Sequence, residues 1–92
     1  MRYPDESGQL ERGRDAWVAS LCQEANLAGI VRGLCHSFRR PDLETDCAHV
    51  AVLELIGVAH RWEPLLKDEQ VLYARAVIRR SVFRFLREEQ CN

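Results

Sequence analysis

The segment from Tyr73 to Arg87, YARAVIRRSVFRFLR, holds five arginines interleaved with aromatic residues and contains no acidic residue. Guanidinium groups bind phosphates through paired hydrogen bonds, and an exposed aromatic ring can stack on an unpaired base. The formal net charge of the chain is only −1, so the rest of the sequence is acid-rich. We therefore expect this one segment, and not the whole surface, to contact a polyanion such as nucleic acid.

A helical projection at 100° per residue arranges the basic residues of this segment on one face. Arg80, Arg84 and Arg87 lie within about 60° of one another, with Tyr73 beside them. The alternative is a solvated face whose arginines pair with carboxylates such as Asp68, Glu88 and Glu89. The predicted DNA-binding residues are Tyr73, Arg79, Arg80, Arg84 and Arg87.

Two cysteine and histidine pairs could in principle bind a metal, namely Cys35 with His36 and Cys47 with His49. Zinc ligands normally come from tight C-x-x-C or H-x-x-x-H turns, whereas Cys47 and His49 would point about 200° apart on a helix. We therefore predict no metal and no cofactor. The four cysteines have no C-x-x-C spacing and are expected to stay reduced as small buried side chains. The sequence does not decide whether Cys91 forms an intermolecular disulfide.

No catalytic motif is present: the sequence lacks a G-x-S-x-G turn, a phosphate-binding glycine loop and an H-E-x-x-H pair. We therefore expect the protein not to be an enzyme. Its 92 residues suit one domain, predicted as residues 14–92 after a flexible arm at residues 1–13. The first residues lack the features of a secretory signal, and no apolar stretch is long enough to cross a membrane, so a cytoplasmic location is expected.

The apolar spacing predicts four helices and no strand, which gives an all-α compact bundle. The first helix covers residues 14–24, and the second follows Asn26 as N-cap and continues to the break at Pro41. The third is predicted to begin near Asp42 or Thr45 and to continue to about Trp62, with its VAVLELIGV core read as a buried helix rather than a strand.

The last helix is predicted to follow a linker at residues 64–70 and to end near Glu88. Its buried side is expected to present Val71, Ala74, Ile78, Val82 and Phe85. The central helix has a second candidate surface on its outer side. A partner could dock there, or the residues could simply form the solvent-facing side of a core helix; they are Asp46, Val50, Glu54, Gly57 and Arg61.

The central helix resembles region two of the bacterial RNA polymerase sigma factors, especially the extracytoplasmic-function type. The family pattern D-L-x-Q-E-x-F-L-x-L aligns with residues 46–55, DCAHVAVLEL, which keep Asp46 and the apolar residues Val52, Leu53 and Leu55. The glutamine and glutamate of the pattern are replaced by His49 and Val50.

The last helix is similar to the next part of that family, W-L-x-x-I-A-R-N-x-x-I-D-x-L-R. The chain departs from the pattern at Arg84, where an aspartate is common, and at Arg80, where an asparagine is common, so this helix is more basic than the pattern. Comparable positions are occupied by Tyr73, Val77, Arg79, Phe83, Leu86 and Arg87.

The resemblance implies a sigma-region-two-like factor with two partners. The central helix would dock on the clamp helices of the largest subunit of core RNA polymerase, and the last helix would face promoter DNA or its melted strand. Without the helix-turn-helix module of a full sigma factor, we expect a stand-alone region-two-like factor, a truncated part of a longer factor, or a polymerase-binding regulator such as a phage might encode. The alternative is a small helical protein–protein interaction module, such as a phage-type polymerase modulator or a homo-oligomer, without DNA contact. The predicted polymerase-binding residues are Asp46, His49, Val50, Glu54 and Arg61.

Overall fold

The computed structural model describes residues 16–91, without the side chain of Cys91, and all regular structure in this range is helical. This confirms the predicted all-α bundle. The predicted arm at residues 1–13 and the first two residues of the predicted first helix lie outside the described range. The helices are α1 (residues 16–24), α2 (Leu27–Ser37), a 3₁₀ turn (Pro41–Leu43), α3 (Glu44–Gly57), α4 (Ala59–Trp62) and α5 (Lys67–Cys91).

Helix α5 packs against α2, α3 and α4 around one apolar core. Of the side chains predicted on its buried side, Ala74, Ile78 and Val82 are fully buried, and Val71 and Phe85 are half-buried against the core. Burial of such a stripe is the main source of stability for an amphipathic helix. The core also contains residues from the other helices, among them Leu21, Val31, Cys35, Cys47, Ala51, Leu55 and Trp62.

The turn between α1 and α2 contains one residue with a left-handed backbone conformation. Asn26 has φ 61° and ψ 48°, a conformation that asparagine adopts more easily than most residues. Its carbonyl accepts the first hydrogen bond of α2, from the Ile30 N–H at 3.0 Å. The position predicted for the N-cap is therefore correct, but the Asn26 side chain makes no capping hydrogen bond.

The end of α2 is closed by a second left-handed residue, Arg39, with φ 59°. The Arg39 N–H bonds to the His36 carbonyl at 3.0 Å and the Arg40 N–H bonds to the Cys35 carbonyl at 2.8 Å. This pair of bonds is the Schellman motif, in which glycine is usual at the left-handed position. Pro41 then begins the 3₁₀ turn, which confirms the predicted break.

The prediction of one continuous central helix to Trp62 is wrong. Helix α3 ends at Gly57, Val58 takes φ −109° and ψ 23°, and the short helix α4 follows. The indole Nε1–H of Trp62 donates to the Leu55 carbonyl at 2.8 Å, so α4 folds back and satisfies a carbonyl in the last turn of α3. Trp62 is fully buried, and its hydrogen bond and burial therefore stabilise the break.

The predicted linker at residues 64–70 is also wrong in its second half, because α5 already begins at Lys67. The Glu69 carboxylate accepts a hydrogen bond from the Leu66 N–H at 3.1 Å, which is the carboxylate half of a capping box. The buried Gln70 amide donates to the carbonyls of Trp62 and Glu63, both at 3.2 Å, and so fixes the start of α5 to the end of α4. Helix α5 continues to Cys91, beyond the predicted end near Glu88.

The sequence predicts that no apolar segment is long enough to cross a membrane, and the length and polarity of the helices bear on this prediction. None of the helices in residues 16–91 is both long enough and apolar enough to cross a lipid bilayer. The longest, α5, has 25 residues but includes the five arginines of the basic segment.

Candidate nucleic-acid interface

Helices α2 and α5 form the walls of an open groove of about 1520 Å³. All five arginines of the basic segment line it from α5, while α2 contributes mostly small residues. Glu88 is the only acidic residue among the described residues that line it. We call it the arginine groove, defined by Arg75, Arg79, Arg80, Arg84 and Arg87 on α5 and by Gly29 and Gly33 on α2.

Four of the five groove arginines form no ion pair with a carboxylate of the described residues. Within residues 16–91, Arg75, Arg79 and Arg80 form no ion pair, and Arg79 and Arg80 are exposed. Arg87 likewise has no ion pair in this range; its guanidinium lies 6.0 Å from the centre of the Phe83 ring, within the distance of a cation–π contact. Within residues 16–91, these four arginines therefore do not form the ion pairs with Asp68, Glu88 and Glu89 that the alternative predicts, whereas the exposure of Arg79 and Arg80 agrees with its solvated face.

An aromatic ring borders the arginines, but it is not the predicted one. Phe83 lines the groove and is 45% exposed, and its ring meets Phe38 edge-to-face with centroids 5.4 Å apart. Phe38 thus holds the orientation of the exposed ring. Tyr73 is instead half-buried against the core and does not line the groove.

The α2 wall was missed in the sequence, where Gly29 and Gly33 were not assigned to a site. A Cβ atom added at Gly33 would meet nothing within 4 Å, so the helix backbone borders open space there. A Cβ atom added at Gly29 would collide with the side-chain amide of Asn26. The i, i+4 spacing of the two glycines is the signal that could have indicated a low wall, since these positions share a helix face.

Arg84 differs from the other groove arginines because it is paired. Its Nη2–H donates to the Glu54 Oε1 on α3 at 3.0 Å, and the two side chains are 59% and 35% exposed. Glu54 was predicted on the polymerase surface and Arg84 on the DNA surface. The structure joins these two predicted surfaces through one ion pair between residues 30 positions apart in the chain.

The remaining predicted polymerase-binding residues lie on two helices rather than one. Asp46 and His49 are exposed on α3 and Val50 is half-buried there, whereas Arg61 is exposed on α4, beyond the break at Val58. Leu53, one turn from His49, is 56% exposed and was not selected from the sequence. The outer side of α3 therefore combines charged side chains with one large exposed apolar side chain.

Two cysteines, one near the end of α2 and one near the start of α3, form a buried pair of thiols. Cys35 on α2 and Cys47 on α3 have no solvent exposure, and their sulfur atoms are 3.6 Å apart. Burial, together with the hydrogen bond to Cys35, raises the pKa of Cys47 to about 12. Burial also raises the pKa of Cys22. Because His36 and His49 are exposed, the two cysteine and histidine pairs do not converge, and no group of three or more possible metal ligands occurs among residues 16–91.

The arginine groove is the site whose chemistry is most specific. It combines clustered guanidinium groups, an exposed ring and an open wall, which are suited to a flexible polyanion carrying flat bases. Comparisons with protein families, with curated proteins and with solved structures found no match for this chain.

Proposed function

We propose that the chain is a cytoplasmic, non-enzymatic transcription factor, similar to sigma region two, that binds single-stranded or melted DNA in the arginine groove and docks on core RNA polymerase through α3 and α4. The observation that carries the proposal is the convergence of five arginines on one groove, four of them without an ion pair in residues 16–91. Arginines that pair with neighbouring carboxylates contribute little to ligand binding, whereas unpaired ones are available to phosphates.

A single strand suits the groove better than a closed duplex. Phe83 is exposed beside Arg79, Arg80 and Arg87, so a base that is not paired in a duplex could stack on the ring while phosphates meet the guanidinium groups. Base stacking is tolerant of sequence, and the arginines contact phosphates without reading bases. The groove alone therefore predicts binding with weak sequence preference.

Binding to a fluorescent single-stranded oligonucleotide of mixed sequence, measured by anisotropy, tests the DNA half of the proposal. The variant Arg79→Gln/Arg80→Gln should bind about tenfold more weakly or worse at low salt, because two phosphate contacts are lost. The matched control is Arg32→Gln/Arg61→Gln, which removes the same charge from exposed arginines outside the groove. Equal losses in the two variants, or no binding by the unmodified protein, would contradict the proposal.

The polymerase half is supported by the sigma resemblance and by the composition of the outer side of α3. Exposed Asp46 and His49 lie on the same face of α3 as the exposed Leu53, so a partner could bury the leucine within a polar rim. Glu54 is less available because it is paired with Arg84. The proposed contact residues remain Asp46, His49, Val50, Glu54 and Arg61.

Co-purification with core RNA polymerase tests this half. Leu53→Gln should reduce retention of the polymerase, whereas Leu72→Gln should not, because Leu72 is a similarly exposed leucine on α5 and not on α3. Retention that is unaffected by Leu53→Gln would contradict docking through α3. If the protein retains neither the polymerase nor the oligonucleotide, the alternative of a protein–protein interaction module replaces the whole proposal.

A further inference from the structure

We infer that Glu54 is an internal competitor that holds Arg84 back from nucleic acid and so sets the affinity and salt dependence of the arginine groove, an inference that rests on the proposed function. Arg84 lines the groove, yet its guanidinium is hydrogen-bonded to the Glu54 carboxylate at 3.0 Å. The other four arginines of the groove have no carboxylate partner among residues 16–91.

The competition follows from the chemistry of the two anions. A carboxylate and a phosphate both accept hydrogen bonds from the same guanidinium donors. Arg84 therefore cannot donate all of its N–H groups to a phosphate while it is bound to Glu54. The pair is partly exposed, with side chains 59% and 35% accessible, and exposed pairs of this kind are weak. A phosphate could displace Glu54, but the displacement reduces the net gain from that contact.

The position of Glu54 adds a second effect. Through its ion pair with Arg84, its negative charge lies beside the edge of a groove whose charged lining residues are five arginines and Glu88. A carboxylate at this edge repels an approaching phosphate backbone, and the repulsion falls as salt rises. Both effects act in the same direction, since each lowers affinity at low salt and each is removed when the charge of Glu54 is removed.

The substitution Glu54→Gln keeps the shape of the side chain and removes its charge. We expect single-stranded DNA to bind about two- to fivefold more tightly at low salt, the range that corresponds to an exposed ion pair. We also expect the slope of log K against log salt to steepen by about 0.7, the value for one additional phosphate contact to a single strand. The control Glu44→Gln removes the same charge from the same helix, about 15 Å along its axis, and should change neither quantity.

A double-mutant cycle assigns the effect to the pair. In the Arg84→Gln background, Glu54→Gln should change the salt slope clearly less than it does in wild type, because the guanidinium that Glu54 competes for is absent and only the repulsion by its charge is removed. Circular dichroism of each variant checks that the helices are retained. If wild-type protein binds DNA and Glu54→Gln alters the affinity and slope no more than Glu44→Gln does, the inference is overturned while the proposed function stands. If neither wild type nor Glu54→Gln binds, the proposed function and the inference are both overturned.

Discussion

Salt dependence is the property of the proposed DNA binding that follows most directly from the arginine groove. Four groove arginines, Arg75, Arg79, Arg80 and Arg87, have no ion pair within residues 16–91 and can each neutralise one phosphate. With about 0.7 counterions released per phosphate of a single strand, the slope of log K against log salt should be about −2.8. Affinity should therefore fall about 50-fold when salt rises from about 50 mM to about 200 mM.

Removing two of these contacts should halve that dependence. The variant Arg79→Gln/Arg80→Gln keeps two unpaired arginines, so its slope should be about −1.4 and its affinity should fall only about sevenfold over the same range. This variant can be compared with the unmodified protein because glutamine retains the helix propensity and most of the length of arginine. The matched control Arg32→Gln/Arg61→Gln should keep the full slope of about −2.8.

Anisotropy titrations of a labelled single strand at four or more salt concentrations measure these slopes. The reasoning depends on local phosphate contacts and not on overall charge, since the formal net charge of the chain is −1. It would be refuted if the groove variant and the control had the same slope. A wild-type slope near zero would show equally that phosphate contact is not the source of binding.

Three further predictions concern stability and are measured by urea unfolding followed by circular dichroism. Trp62→Phe should lower the free energy of unfolding by about 2–4 kcal/mol, because the hydrogen bond to the Leu55 carbonyl is lost and a cavity is left in the core. A loss below about 1 kcal/mol would contradict the role of Trp62 in stabilising the helix break. Arg39→Gly should stabilise the protein by up to about 1 kcal/mol by relieving the left-handed backbone, whereas Arg39→Ala should not. Burial raises the pKa of Cys47 to about 12 from its ordinary 9.0, so the neutral thiol contributes stability below about pH 9 that is lost as pH rises toward about 12. The difference in unfolding free energy between wild type and Cys47→Ala should therefore narrow over that range, and a constant difference would contradict the assignment.

The helices could be predicted where apolar spacing determines them. The stripe containing Ala74, Ile78 and Val82 is buried as the spacing indicates, and Pro41 breaks the chain where a proline in an apolar pattern predicts. The two errors have a shared cause. The break after Gly57 depends on the indole of Trp62 reaching Leu55, and the early start of α5 on the amide of Gln70 reaching back seven and eight residues. Such contacts leave no periodic signal in the sequence.

The candidate site was predictable on one wall only. The projection of the last helix grouped Arg80, Arg84 and Arg87, and all three line the groove. The spacing of the two glycines on α2 indicates a low helix face, but that this face lies opposite α5 could not be predicted, because the pairing of the two helices is decided by the whole core. The exposed ring was likewise assigned to Tyr73 rather than to Phe83, since a projection does not reveal which side of the helix a neighbour covers.

The ion pair between Glu54 and Arg84 shows the same limit. The two residues were predicted on separate surfaces for separate partners, and each assignment followed from the helix that carries the residue. Their contact at 3.0 Å depends on how α3 and α5 cross. A residue can thus have the chemistry for one partner while its donors are already used within the protein.

The location of bound DNA decides whether the arginine groove is the nucleic-acid site. Backbone amide shifts of ¹⁵N-labelled protein can be followed by NMR while an unlabelled single strand is added. We expect the largest shifts at the groove walls, at Gly29 and Gly33 on α2 and at Arg79 and Arg80 on α5, with little change at Asp46 on the outer side of α3. Shifts concentrated on α3, with the two glycines unmoved at saturation, would contradict the arginine groove as the nucleic-acid site.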